Sequence, residues 1–315
     1  MTNYYLGVDM GGTLIKIAIV DDKANVTEEA VVNTDINASP KSVIENIVEV
    51  FKKFKNYNKV KTIGIGIAGD IDFKQGIVRL SPNLPKWNKV QLKKDIEKMT
   101  GKKVFVDNDA NTAAIGAYWL DIKAKADNMV CVTLGTGVGG GIIINKKLFR
   151  GNSGTAGEIG HITVEPDGRK CNCGNYGCAE TYIGVRHIVK ETIDLLKTKK
   201  SKYIVKLANN DIEQITPKLL SQAAEKGDVV AKKVWNNAGE KLGILLSDII
   251  DFFNPDCIVL CGGISNAGDL IIKPAKEQIK KRAFKTAAKA CKIVVSKYTS
   301  KLGVVVFYYF IYTNL

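Results

Sequence analysis

The sequence predicts an α/β protein made of two similar halves. Short β-rich runs alternate with helical stretches along most of the chain. Two Gly-centred strand-turn-strand patterns, about 125 residues apart, open the two halves. At 315 residues and 45% hydrophobic content, the chain has the length of about two domains of roughly 150 residues each. A repeated architecture of this kind implies a cleft between the halves, and function is expected there.

The elements follow in order. Tyr4 to Asp9 is a β-rich run that breaks at Gly11-Gly12-Thr13 and resumes as Ile15 to Val20, which reads as an antiparallel hairpin. Pro40 to Phe54 places Val43, Ile44, Ile47, Val48 and Phe51 at helical spacing, and Thr62 to Ala68 is a buried strand. The loop Ser81 to Trp87 precedes a helix over Val90 to Met99. A strand at Val104 to Val106 then ends at Asp107-Asn108-Asp109 and gives way to a helix over Ala110 to Leu120. The pattern restarts with the strand Met129 to Leu134, the turn Gly135 to Gly141 and the returning strand Ile142 to Ile144. Helices are expected over Thr181 to Lys197, Thr216 to Lys226 and Asp228 to Phe253. A strand at Cys257 to Leu260, a Gly262-Gly263 turn, further helix to about Lys289 and a strand at Lys292 to Ser296 complete the half.

Composition narrows the function classes. The aromatic content of 8%, seven Pro and a mean hydropathy of -0.02 exclude a disordered or collagen-like chain. A formal charge of +14 and a pI near 9.3 invite a nucleic-acid reading. Only five of the basic residues are Arg, however, and the Lys are scattered over helix exteriors such as Lys197 to Lys200 and Lys276 to Lys289. Bidentate phosphate and base readout favours Arg, so no nucleic-acid partner is expected; a basic surface can still attract an anionic substrate. Met1 to Leu6 lacks a basic region followed by a long apolar stretch, so a cytoplasmic, reducing setting without disulfides is expected. The longest apolar run, Gly303 to Tyr312, is half the length of a spanning helix, and no membrane association is expected.

Glycines at a strand-turn-strand let backbone N–H groups approach phosphate oxygens, and an acid just before the turn can hold Mg²⁺ through water. Asp9 with Gly11, Gly12 and Thr13 fits this description, although Gly-Gly hairpin turns also occur for steric reasons alone. The second turn, Gly135-Thr136-Gly137, repeats it. Asp109 stands where a strand meets a helix, a position at which Asp is favoured as an N-cap for purely structural reasons. Three Cys fall within eight residues, Cys171, Cys173 and Cys178, ten residues after His161. Thiolates and an imidazole at short spacing, with glycines to fold the loop back, suit a closed Cys₃His zinc site, the alternative being a disulfide or inert thiols. Four protein ligands leave no open coordination position, so this zinc is expected to be structural. Cys131, Cys257, Cys261 and Cys291 read as packing residues.

The two hairpins in tandem, with Ile258 to Gly263 as an adenosine motif, resemble the sugar kinase, actin and heat-shock chaperone superfamily. Leu134 to Gly141, followed by Arg150 to His161 with its Glu158-x-x-His161 pair, resembles the ROK family of sugar kinases and repressors, from about Leu6 to Lys301. The resemblance implies a two-lobed ribonuclease H-like (actin-like ATPase) α/β fold with mixed sheets and a central cleft. Residues 1–109 would form the N-terminal lobe, 110–300 the C-terminal lobe and 301–315 a tail. It implies phosphorylation of a hexose by ATP with Mg²⁺, glucose being the expected acceptor and N-acetylmannosamine, N-acetylglucosamine or fructose the alternatives. Asp109 would take the hydroxyl proton, and Asn108, Glu158, His161 and Glu180, with Asn83 as a weaker candidate, would bind the sugar. Asp9, Gly11, Gly12, Thr13, Gly135, Thr136, Gly137, Gly262 and Gly263 would surround the nucleotide and its phosphates. Zinc on His161, Cys171, Cys173 and Cys178 would aim His161 and Glu180 at the sugar. A homodimer or higher homo-oligomer is expected by analogy. The family also contains repressors, which carry an added DNA-binding helix-turn-helix; here the first hairpin begins at about Tyr4 and Asp109 is retained, so a repressor, or an inactive sugar-binding relative, is the lesser expectation. The chain departs from the family after Gly303, where β-branched and aromatic residues replace a small-residue helix and read as strand-like or aggregation-prone.

Overall fold

The computed structural model describes residues 2–299 and 301–304. The first hairpin is β1 (Tyr4–Met10) and β2 (Leu14–Asp21), extended by β3 (Val26–Asn33) into an antiparallel meander. Helix α1 (Pro40–Lys53) starts with Pro40 in its first turn, where a missing N–H is harmless, and the Ser39 hydroxyl accepts from the Ser42 N–H at 3.2 Å. Strand β4 (Val60–Ile67) runs parallel to β1. The short strands β5 (Asp70–Asp72), β6 (Ile77–Leu80) and β7 (Asn88–Val90) make a separate three-stranded sheet. Helix α2 (Leu92–Thr100), β8 (Lys103–Asn108) and α3 (Asp109–Leu120) follow, and β8 lies parallel to β4. The main sheet has the order β3-β2-β1-β4-β8, and the apolar stripe of α1 (Val43, Ile44, Ile47, Val48 and Phe51) joins Leu6, Val8, Ile17, Ile63 and Ile65 in one core.

The second half begins with β9 (Met129–Leu134), β10 (Val138–Ile144) and β11 (Lys147–Phe149). Helices α4 (Glu180–Ile183), α5 (Val185–Leu196), α6 (Lys202–Leu207), α7 (Pro217–Glu225) and α8 (Val229–Phe253) precede β12 (Cys257–Cys261). Then come α9 (Asp269–Arg282), α10 (Lys285–Ala290) and β13 (Lys292–Val295). The sheet order is β11-β10-β9-β12-β13, the same as the first with β9 at its centre. The expected repeat is therefore one of topology.

The structure departs from the sequence reading in places. The helix expected over 181–197 is two helices, because Gly184 adopts an extended backbone (ψ 147°) and ends α4 after one turn. The returning strand of the second hairpin starts four residues early, at Val138. The contacts divide the chain into one unit of Met1–Cys131, Gly141–Gly157 and the segment beginning at Lys297, and another of Val132–Gly140 and Glu158–Ser296. The boundary expected at 109/110 is thus not where the chain divides. Helix α3 stays with the first unit because it is buried on nearly all sides, packing on β4, β8 and the single turn Leu302–Val304, with Gly116 against Leu302 and Thr112 against Gly66. The strand-like character expected of the C-terminal run concerns residues 305–315, which lie outside the described residues.

All seven Cys are free, and Cys131, Cys257, Cys261 and Cys291 are buried. Lys197 to Lys200 and Lys276, Lys280, Lys281, Lys285 and Lys289 are exposed. No helix among the described residues is long and apolar enough to cross a membrane.

Candidate active site

In the first unit, the first turn is closed by the Gly11 N–H, which donates to the Leu14 carbonyl at 3.0 Å. Asn83 lies over it: a Cβ on Gly12 would sit 2.9 Å from the Asn83 Cβ. Asp9, one residue before the end of β1, faces Gly303, where a Cβ would come within 2.7 Å of its carboxyl carbon. Burial raises the Asp9 pKa, and nearby Lys16 offsets this in part. A buried carboxylate whose charge is disfavoured is suited to a cation, so the donor chemistry is compatible with Mg²⁺ held nearby.

The strand-to-helix junction differs from the sequence reading in one respect. The N-cap of α3 is Asn108, not Asp109: the Asn108 side-chain oxygen accepts from the N–H groups of Ala110 and Asn111 at 2.8 and 3.3 Å. Asp109 occupies the first helical position, half-buried, and its carboxylate accepts from the Ala110 N–H at 2.9 Å. The Asn108 amide also donates to the Gly69 carbonyl at 3.2 Å, which leaves its second N–H for another partner. Two residues that sequence reasoning passed over complete the junction. Asp107 is buried and paired with Arg150 at 2.8 Å, and its neighbour Asn111 is buried too. The only signal in the sequence was a third polar residue in the run Asp107-Asn108-Asp109, with nothing to say which of them faces inward.

In the second unit, the turn Gly135-Thr136-Gly137 is closed by the Gly135 N–H on the Gly137 carbonyl at 2.9 Å. Glu180, the first residue of α4, accepts from the Val138 N–H at 3.0 Å, and a Cβ on Gly137 would lie 2.1 Å from its Oε2. Glycine at 137 is therefore a steric requirement of the carboxylate's position. The Val185 N–H at the start of α5 donates to the Gly135 carbonyl at 3.0 Å. Gly262 (φ +94°) packs on the backbone of Leu134, whereas no neighbour approaches the Cβ direction of Gly263. Gly262 thus abuts the last residue of the strand before the second turn, and Gly137 meets Glu180 within that turn.

His161, Cys171, Cys173 and Cys178 converge, with all ligand atoms within 4.8 Å of one another. The Cys171 Sγ to His161 Nδ1 distance and the Cys173 Sγ to Cys178 Sγ distance are both 3.7 Å. Zn–S bonds of about 2.3 Å at tetrahedral angles put sulfurs about 3.8 Å apart, so the donor set fits zinc. Gly174 and Gly177, at positive φ, fold the loop back as the sequence required. Burial pushes the Cys178 thiol up to about 12 and raises that of Cys171, while a backbone N–H from Asn175 lowers that of Cys173. With Nδ1 facing the sulfurs, His161 turns Nε2 toward Glu158, 3.9 Å from its Oε2. Glu158 itself is exposed.

The ROK family model matches residues 5–308. The chain belongs to the ROK family. Among ROK proteins, a glucokinase from Thermotoga maritima is 35% identical over 274 residues, covering 87% of this chain and 86% of that protein. A crystal structure of a ROK family glucokinase from Streptomyces griseus in complex with glucose and AMPPNP is 32% identical, with a TM-score of 0.83 over 96% of this chain and 97% of that one. The ROK fold is the expected α/β actin-like ATPase fold. A xylose repressor from Caldicellulosiruptor bescii is 31% identical over 93% of this chain but only 74% of its own length.

Proposed function

We propose that this chain is an ATP-dependent hexokinase that converts glucose to glucose 6-phosphate. The observation that carries the reading is Asp109, a half-buried carboxylate fixed at the first turn of α3, in a chain similar over most of its length to glucokinases. Phosphoryl transfer asks little covalent work of the protein; it needs an oriented acceptor and somewhere for its proton to go. Asp109 accepts the proton of the sugar 6-hydroxyl as that oxygen forms its bond to the γ-phosphorus in line with departing ADP. The second N–H of Asn108, with Asn83, Glu158, the Nε2 of His161 and Glu180, meets the sugar hydroxyls. Since the N–H groups of Gly11 and Gly135 are engaged within their own turns, those of Gly12, Thr13, Thr136 and Gly137 are the ones that meet phosphate oxygens. Gly262 and Gly263 border the adenosine. Asp9 would hold Mg²⁺ through water, which supplies neutralisation of phosphate charge. His161, Cys171, Cys173 and Cys178 would hold zinc, which fixes the loop and the His161 tautomer and takes no part in the chemistry.

The test is a coupled ADP-release assay over a panel of hexoses and N-acylated hexosamines, with Mg²⁺ present and zinc measured on the same sample. Glucose-dependent ADP release is expected, and Asp109→Asn should lower kcat by about 10²–10⁴-fold while glucose still binds. Near-normal turnover of Asp109→Asn overturns the assignment. Sugar binding without turnover on any acceptor would instead favour the sugar-binding regulator.

A further inference from the structure

We propose that Arg150 is a positioning residue for Asp109, acting through the carboxylate of Asp107. The inference rests on the reading of Asp109 as the proton acceptor and adds the device that holds it in place.

Asp107 ends the buried part of β8, its side chain only 2% exposed. A carboxylate in such a place needs close donors, and four are present. Its Oδ1 accepts from the Asn108 N–H at 2.8 Å and from the Asn111 side-chain amide at 2.9 Å. Those two donors stand on either side of Asp109 in the chain, so one oxygen fixes the first turn of α3 both before and after it. The other oxygen, Oδ2, receives Nε and Nη2 of Arg150, each at 2.8 Å. The guanidinium is 11% exposed and lies over the Phe73 ring, 4.3 Å from its centroid. Arg150 is itself held, because its carbonyl accepts from the Ala156 N–H at 3.0 Å and the loop between them is tied to Arg79 through the Ser153 carbonyl at 3.4 Å.

Stability alone is a poor reason for this arrangement. Desolvating two charges offsets much of their attraction, and apolar side chains of similar size are often as stable in such positions. What the pair supplies is geometry: a planar donor face against a planar acceptor whose opposite oxygen anchors the helix start. Arg150 also stands eight residues before Glu158, so the guanidinium anchors the segment through which the chain reaches that sugar-binding candidate.

The test is a double-mutant cycle of Arg150→Met and Asp109→Asn, with kcat, the KM values for glucose and ATP, and Tm measured for each protein. If Arg150 acts through Asp109, Arg150→Met lowers kcat by about a hundredfold with the KM for ATP little changed. It then has almost no further effect on the residual turnover of Asp109→Asn. Arg150→Lys, which keeps the cation and loses the paired donor face, should recover part of kcat; it carries the same cycle if the Met variant does not fold. Equal effects of Arg150→Met in both backgrounds, or a fall in Tm without a fall in kcat, overturn the proposal while Asp109 keeps its role. Near-normal turnover of Asp109→Asn by itself overturns the parent reading, and this one with it.

Discussion

The two five-stranded sheets share one strand order, and their central hairpins align residue for residue: Val8-Asp9-Met10-Gly11 in the first and Val132-Thr133-Leu134-Gly135 in the second. At the second position of this frame they part. In the second hairpin Thr133 is neutral, and its hydroxyl accepts from the Gly139 N–H at 3.1 Å, a local structural use. In the first, Asp9 is a carboxylate whose charge burial disfavours. The same scaffold therefore tolerates a neutral residue there, and a position where folding would be eased by removing the charge is a position where function is the better explanation for keeping it.

Making the first hairpin like the second is the strongest way to break that contrast. Asp9→Thr should lower ATP-dependent turnover by about 10²-fold while raising Tm at pH 7. The sign follows from the raised pKa. Between the ordinary carboxylate value of 3.8 and the higher folded-state value, the native protein binds more protons than the unfolded chain, so the wild type loses stability as pH rises. The Tm advantage of Asp9→Thr should accordingly vanish as pH falls below 3.8, and thermal melts across that range would show it. An advantage that is the same at every pH would mean that Asp9 is not the cause.

The ligand cluster of His161, Cys171, Cys173 and Cys178, proposed above to hold zinc, belongs to the second unit alone, so its loss should separate the two turns by substrate. Cys178→Ser should abolish bound zinc in a metal assay and raise the KM for glucose more than the KM for ATP, because His161 loses its fixed orientation. Cys173→Ser, at the exposed corner of the cluster, should also lose zinc with a smaller fall in Tm. A smaller effect again separates the turn glycines. Gly137→Ala forces the Glu180 carboxylate off the Val138 N–H, whereas Gly12→Ala presses on the Asn83 side chain at 2.9 Å, a contact more easily relieved. The catalytic efficiency of Gly137→Ala should therefore fall further; the reverse order would place the more constrained turn in the first hairpin.

What could be read in the sequence was what is local. Both hairpins, α1, α8 and the metal cluster lie within short windows where periodicity, turn residues or ligand spacing speak directly, and His161 to Cys178 spans only 18 residues. Strands β5, β6 and β7 have three or four residues each, too few for a period to register. Strand β3 alternates cleanly in burial, but its exposed positions hold polar and apolar residues alike, among them Val31. The cap at Asn108 and the buried Asp107 escaped notice because three polar residues in a row give no clue to which one turns inward. The answer depends on Arg150, 43 residues away.

The turn Leu302–Val304 packs on β1 and α3 and brings Gly303 against Asp9. On a ribosome adding about 5–20 residues per second, Gly303 follows Asp9 by about 15–60 s. Until then the part of the first unit already made, with Gly7 and Asp9 present first and Gly116 later, lacks the cover that Leu302, Gly303 and Val304 supply in the folded chain.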